Sequence, residues 1–162
     1  MVVRVQAGPP RPHPQPTDEG VDTVDLKLEL IVLPVADVDR AKAFYEKAGF
    51  RLDVDHRAGD AFRVVQFTPP GSECSISFGT GISEAAPGSV QGLHLVVTDI
   101  EAARDELAGR GVEVGDIFHF GSEGQVAGPD PQRSDYGSFA TFSDPDGNGW
   151  LLQEVRHRAP GR

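Results

Sequence analysis

Several side chains in this sequence have types that can do chemistry: His94, Gln153, Ser77, His119, Arg133, Tyr136, Cys74 and Glu154. An imidazole such as that of His94 can exchange a proton near neutral pH, hold a ligand, ligate a metal, or sit satisfied against a backbone carbonyl. The amide of Gln153 can orient a ligand but cannot take a proton, and Ser77 offers a hydroxyl. His119, Arg133 and Tyr136 share one segment, "HFGSEGQVAGPDPQRSDYG" from His119 to Gly137, 19 residues with little regular pattern. A connection that long is either solvated chain or functional. Here Arg133 could pair an anionic ligand, and Tyr136 could stack on one or hydrogen-bond it, with Phe118 and Phe120 close by in the sequence. Cys74 is the lone cysteine, with nothing adjacent to lower its thiol pKa, so it is expected to pack as a small apolar residue. Ser, His and Asp all occur, but no spacing among them suggests a nucleophilic triad.

The bulk properties narrow the partners. The chain of 162 residues carries 25 acidic and 15 basic side chains, a formal charge of −10, which repels nucleic acid and anionic lipid. The only basic enrichment is the final "RHRAPGR", read as a solvated tail. A single cysteine excludes an intrachain disulfide framework and suits a reducing cytoplasm, where the protein is expected to act. No apolar run approaches the length of a membrane span, and the N-terminal residues lack the pattern of a secretory signal.

The elements that must position these groups follow from periodicity. Residues 1–24 hold Pro9, Pro10, Pro12, Pro14 and Pro16 and read as a disordered, proline-rich arm. From Leu26, "LKLELIVLPV" is a strand-like run, Asp37 a helix N-cap, and Ala41, Phe44, Tyr45 and Ala48 fall at helical spacing before Gly49. The same grammar returns in "VQGLHLVVTDIEAARDELAGRGVEV": Asp99 matches Asp37, Ala103 matches Ala41 and Gly111 matches Gly49 without a gap. Strand candidates follow each helix: "FRLDVDH", "FRVVQFT" and "CSISFG", then "VEVGDIFHF", "SFATFS" and "WLLQEV". Each half therefore reads β-α-β-β-β, an internal repeat. Before the last strand, Asp144-Pro145-Asp146-Gly147-Asn148 is a well-specified turn that sets strand register.

Two such modules, with "FYE" on the first helix and "DPDGN" before the last strand, resemble the vicinal oxygen chelate superfamily, which includes glyoxalases, bleomycin resistance proteins and extradiol dioxygenases. The resemblance implies an α+β fold in which two βαβββ modules, about 25–80 and 90–156, form one domain with a cup-shaped mixed sheet and the helices outside; 157–162 is a tail. Fold does not fix function, since this scaffold hosts lyases, isomerases, oxygenases and binders.

Metal-dependent members place ligands on the first strand of each module, seven residues before the capping aspartate, and on the last strand, three residues after the turn asparagine. Here those positions are Leu30, Gly92 and Leu151, and the first-module counterpart of Leu151 is Ser75. None of the first three can hold a divalent ion through its side chain. No cofactor is therefore expected, and a divalent metal only at a displaced site using His94, His119 or Glu154. The resemblance puts His94, Gln153, Ser77 and Val32 on the cup-facing side, with His94 and Gln153 a polar pair among aliphatic residues. Alternation sends Glu154 to the opposite face from Gln153, where it is expected at the surface. The expected protein is a homodimer that binds a small hydrophobic or aromatic molecule around His94 and Gln153, with His119, Arg133 and Tyr136 closing over it. Two enzyme readings compete: a lyase, isomerase or dioxygenase with a displaced metal, or a metal-free acid/base enzyme using His94.

Overall fold

The structure, a computed structural model, describes residues 24–160. The expected proline-rich arm, apart from Val24, and the last two residues of the tail lie outside them. In chain order the elements are β1 (Leu30–Val32), α1 (Val38–Lys47), β2 (Arg51–Ala58), β3 (Phe62–Thr68), β4 (Ser75–Thr80), β5 (Leu93–Val97), α2 (Ile100–Gly109), β6 (Phe118–Gly121), β7 (Gly124–Ala127), β8 (Ser138–Ser143) and β9 (Gly149–Glu154). Both helices begin as the sequence predicts. The Asp37 carboxylate accepts the Arg40 amide at 3.0 Å, and that of Asp99 accepts the Ala102 amide at 3.1 Å. Each helix is followed by a glycine in the left-handed region, Gly49 at φ 90° and Gly111 at φ 88°, a conformation that a side chain would strain.

The strands form two open sheets rather than one continuous cup, ordered β1-β4-β3-β2 and β5-β9-β8-β6-β7. Each is mixed: β1 runs parallel to β4 and β5 parallel to β9, and the remaining pairs are antiparallel. The second sheet departs from the predicted pattern in two places. "VEVGDI" carries no strand, so β6 starts only at Phe118. An added hairpin, β6–β7, turns at Ser122-Glu123 inside the segment read as irregular.

Alternation gives each sheet one buried face. Leu33, Val65, Phe67, Ile76 and Phe78 from the first module pack in one core with Ile100, Ala140, Phe142, Trp150 and Leu152 from the second. Tyr45 on α1 stands at their junction, its ring 5.7 Å from Phe78 and 6.1 Å from Trp150. Its hydroxyl donates to Asp144 at 2.9 Å and accepts the Trp150 indole N–H at 3.1 Å. Burial and the Asp144 carboxylate push the Tyr45 phenol far above its usual range, so it stays a neutral donor.

The turn before β9 does more than set register. Besides Tyr45, Asp144 accepts the Asp146 amide at 2.9 Å, the Asn148 amide at 3.0 Å and the Asn148 side chain at 2.8 Å. Asn148 also donates to the Pro34 carbonyl at 2.9 Å, and Asp146 accepts the Ala36 amide at 2.9 Å. A turn in the second module thus grips the strand–helix junction of the first. Gly88 closes against it: a Cβ there would come within 2.0 Å of the Asp146 carbonyl oxygen.

Candidate functional site

The outer face of the second sheet is assembled from residues that alternate away from the core. In the β5–β9 ladder His94 lies opposite Leu151 and Val96 opposite Gln153, so all four share this face. Across β8, Phe139 lies opposite Gln153 and Thr141 opposite Leu151; on β6, Phe118 lies opposite Phe139. The Phe118 and Phe139 rings stack at 5.5 Å, and Phe120 meets Phe139 edge-on at 5.5 Å. Phe118 and Phe139 are half-buried, whereas Phe120 is 63% exposed. The face therefore runs from an imidazole through Leu151 and an amide to a cluster of partly exposed aromatic rings. At its other end a cavity of ≈ 330 Å³ is bordered by Gly92, Thr141 and Leu151.

His94 and Gln153 share this face but do not bond to each other. The His94 Nδ1 donates to the carbonyl of Gly92, just before β5, at 2.6 Å, which leaves Nε2 as the ring nitrogen open to a ligand. Gln153 donates to the Tyr136 carbonyl at 3.2 Å and so ties β9 to the long segment. His94 also borders two adjoining clefts, ≈ 190 and ≈ 230 Å³, which it shares with Pro69 and Ser72 of the first module.

The other predicted residues are distributed differently. Ser77 belongs to the first sheet, between Val32 and Gln66, and is buried. His119 donates its Nδ1–H to the Gly128 carbonyl at 2.7 Å, closing the β6–β7 hairpin. Arg133 is engaged by Glu154, with Nε at 2.9 Å and a terminal nitrogen at 2.7 Å, the two-pronged geometry of a strong ion pair. Glu154 does lie on the opposite face of β9 from Gln153, but that is the core face. It is buried rather than at the surface, because Arg133 and the Ile100 amide at the start of α2, 3.0 Å away, satisfy its charge. The Arg133 guanidinium holds the Glu154 carboxyl below its usual range despite burial. Arg133 and Tyr136 both adopt positive φ, 50° and 66°, and Tyr136 is 45% exposed. Burial raises the Cys74 thiol, consistent with a packed, unreactive cysteine.

The three positions where metal-dependent relatives carry ligands offer hydrocarbon at Leu30 and Leu151 and only backbone at Gly92. Their side chains do not fit a divalent ion. His94, His119 and Glu154, the displaced candidates, each have the partner described above and lie on different elements, and among the described residues no three His, Cys, Asp or Glu side chains gather into a metal-binding group. Phe139 is the residue that sequence reasoning missed. "SFATFS" shows its alternation, but the pairing that sets it beside Gln153 and Phe118 is non-local.

Comparison with known proteins agrees with this architecture. The chain is 33% identical to TnmS3, an antibiotic binding protein from Streptomyces sp. CB03234, over 82% of this chain and 98% of that one, with a TM-score of 0.63. A glyoxalase/bleomycin resistance protein from the same organism is 34% identical over 79% of this chain and 100% of its own, with a TM-score of 0.60. The uncharacterized protein YetH of Bacillus subtilis (strain 168) is 26% identical over 76% of this chain and 94% of its own length. The family model matches residues 27–152, and this makes the chain a member of the Glyoxalase/Bleomycin resistance protein/Dioxygenase superfamily.

Proposed function

We propose that this protein binds a planar, largely apolar aromatic molecule without a metal ion. The observation that carries the reading is the Phe118–Phe120–Phe139 cluster beside Gln153 on the open face of the second sheet. Exposed aromatic rings offer stacking area, while the Gln153 amide and the free Nε2 of His94 supply the few polar contacts that orient a ligand. The likeness to TnmS3, an antibiotic binding protein, supports a small-molecule ligand rather than a macromolecular partner. Tyr136 stands beside this face through its contact with Gln153. Arg133 serves the site indirectly, by holding the segment that carries Tyr136.

The protein works as a homodimer in the cytoplasm. In one chain the outer faces of both sheets are partly bare, with Val32 38% and Val96 37% exposed. Opposing the first sheet of one copy to the second sheet of the other would close a cup around the ligand and bring Ser77 and Gln66 toward His94. Light scattering at micromolar concentration should give a dimer, and a monomer would overturn this part.

A panel of planar aromatic compounds, antibiotics among them, is titrated by calorimetry against the native protein. Binding is expected, with Phe139→Ala weakening it by about tenfold, the order of one lost ring contact with its buried area. Equal affinity in that variant would sink the stacking model. Elemental analysis after exposure to manganese, iron, nickel and zinc provides the second check. About one metal ion per chain, lost in His94→Ala, would replace the reading with a displaced-metal enzyme.

A further inference from the structure

The run Arg156-His157-Arg158 leaves β9 in a fixed direction rather than as loose tail. The Asp135 carboxylate accepts the Arg156 amide at 2.6 Å and the His157 amide at 3.1 Å, and the His157 ring meets the same carboxylate at 3.2 Å. The Arg156 guanidinium turns to Glu154, 3.4 Å away. Arg158 is different. Among the described arginines only Arg57 and Arg158 lie beyond ion-pair distance of a carboxylate, which is out of pattern in a chain with 25 acidic and 15 basic side chains. Arg57 stands on β2, a strand whose residues are all exposed. Arg158 instead borders the cleft of ≈ 230 Å³ that His94 shares with the first module.

Two main-chain donors border the same cleft. Residues 69–72 form a turn in which the Ser72 amide donates to the Pro69 carbonyl at 3.0 Å and Gly71 takes φ 76°. Pro69 and Pro70 carry no N–H, so the Gly71 amide is the one donor of this turn without an acceptor among the described residues. Residues 94–96 of β5 complete the lining, and β5 is an edge strand. The Val155 amide donates to the Val97 carbonyl at 2.8 Å, so Val97 and, by alternation, Leu95 aim their main-chain groups at β9. Val96 therefore aims its N–H at the free edge, where no strand of the sheet pairs with it. No aspartate or glutamate lines the cleft among the described residues.

We propose that this cleft is an oxyanion subsite that takes the carboxylate or phosphate group of a small molecule, with Arg158 as its charged contact and the Gly71 and Val96 amides as neutral donors. A guanidinium matches two oxygens of either group, and main-chain N–H groups recognise an anion without a second charge. The subsite adjoins the open face of the second sheet through His94 but does not rest on the aromatic-cluster reading.

The test follows the amide resonances of isotope-labelled full-length protein during titration with sodium butyrate, its neutral isostere butyramide, and inorganic phosphate. Ionic strength and pH are held constant, because an exposed charge is screened by salt. The anions should shift the Gly71 and Val96 resonances, with butyramide weaker than butyrate by about tenfold, the order of one charge-assisted hydrogen bond. A response to only one of the two anions supports the subsite and identifies its group. Arg158→Gln should weaken butyrate by about tenfold, and Arg158→Lys by less. Arg57→Gln removes the same charge elsewhere and should leave the affinity unchanged. Arg158 is exposed, so its variants should melt as the native protein does. Equal affinity for butyramide and butyrate, an equal loss in Arg57→Gln, or shifts that spare Gly71 and Val96 would each overturn the proposal. If no planar aromatic compound binds the native protein but butyrate does, the subsite stands and the aromatic reading alone is lost.

Discussion

Asp144→Ala lowers the free energy of unfolding by about 4 kcal/mol, measured by urea denaturation at neutral pH. The carboxylate is 5% exposed and accepts four hydrogen bonds, from Tyr45, the Asp146 and Asn148 amides and the Asn148 side chain. Hydrogen bonds to a charged group are worth roughly 1.5–3 kcal/mol each, and buried donors left unpaired add their own penalty; because the four share one turn, their losses overlap rather than add. Tyr45→Phe is the milder comparison. It removes one donor to Asp144 and the acceptor for Trp150 while keeping the ring, and should cost about 1–3 kcal/mol. A loss below about 1 kcal/mol for Asp144→Ala would mean that the turn is not what joins the modules.

Arg133→Ala is the second large effect, about 3 kcal/mol at neutral pH. It leaves Glu154, which is wholly buried, without its two-pronged partner; the Arg156 nitrogen at 3.4 Å and the Ile100 amide compensate only in part. The pH dependence fixes the assignment. Arg133 depresses the Glu154 carboxyl below its usual value, so the stabilisation is fully present above the unfolded-state value of about 4.3 and is lost as pH falls through the lower folded-state value. The gap between wild type and variant should therefore narrow as pH drops below about 4. A gap independent of pH would point to lost packing by the arginine stem instead.

These two clusters mark where the sequence was legible and where it was not. The repeat could be read because its signals are local: Asp37 and Asp99 as caps, Gly49 and Gly111 as stops, and the apolar spacing between them. Alternation correctly separated Gln153 from Glu154, but which face was covered depended on Arg133, 21 residues away, and on a helix start 54 residues away. A carboxylate at the end of a strand looks like surface until its partners are known. The β6–β7 hairpin had a local signal, "GSEG" between short strand-like runs, which the glycine-rich composition of the whole segment obscured. The aromatic cluster rests on strand pairing between β6, β8 and β9, which no local pattern specifies.

The grip of the last turn on the first module also sets a timetable for folding. The Pro34 carbonyl waits for the side chain of Asn148, 114 residues downstream, and the Ala36 amide for Asp146, 110 residues downstream. During synthesis every residue of the first βαβββ unit is made well before the residues that fasten its strand–helix junction. Contacts this distant in sequence slow folding, because a long loop must close before they form. The junction between Pro34 and Asp37 is thus among the first parts of the domain to be made and among the last to be secured.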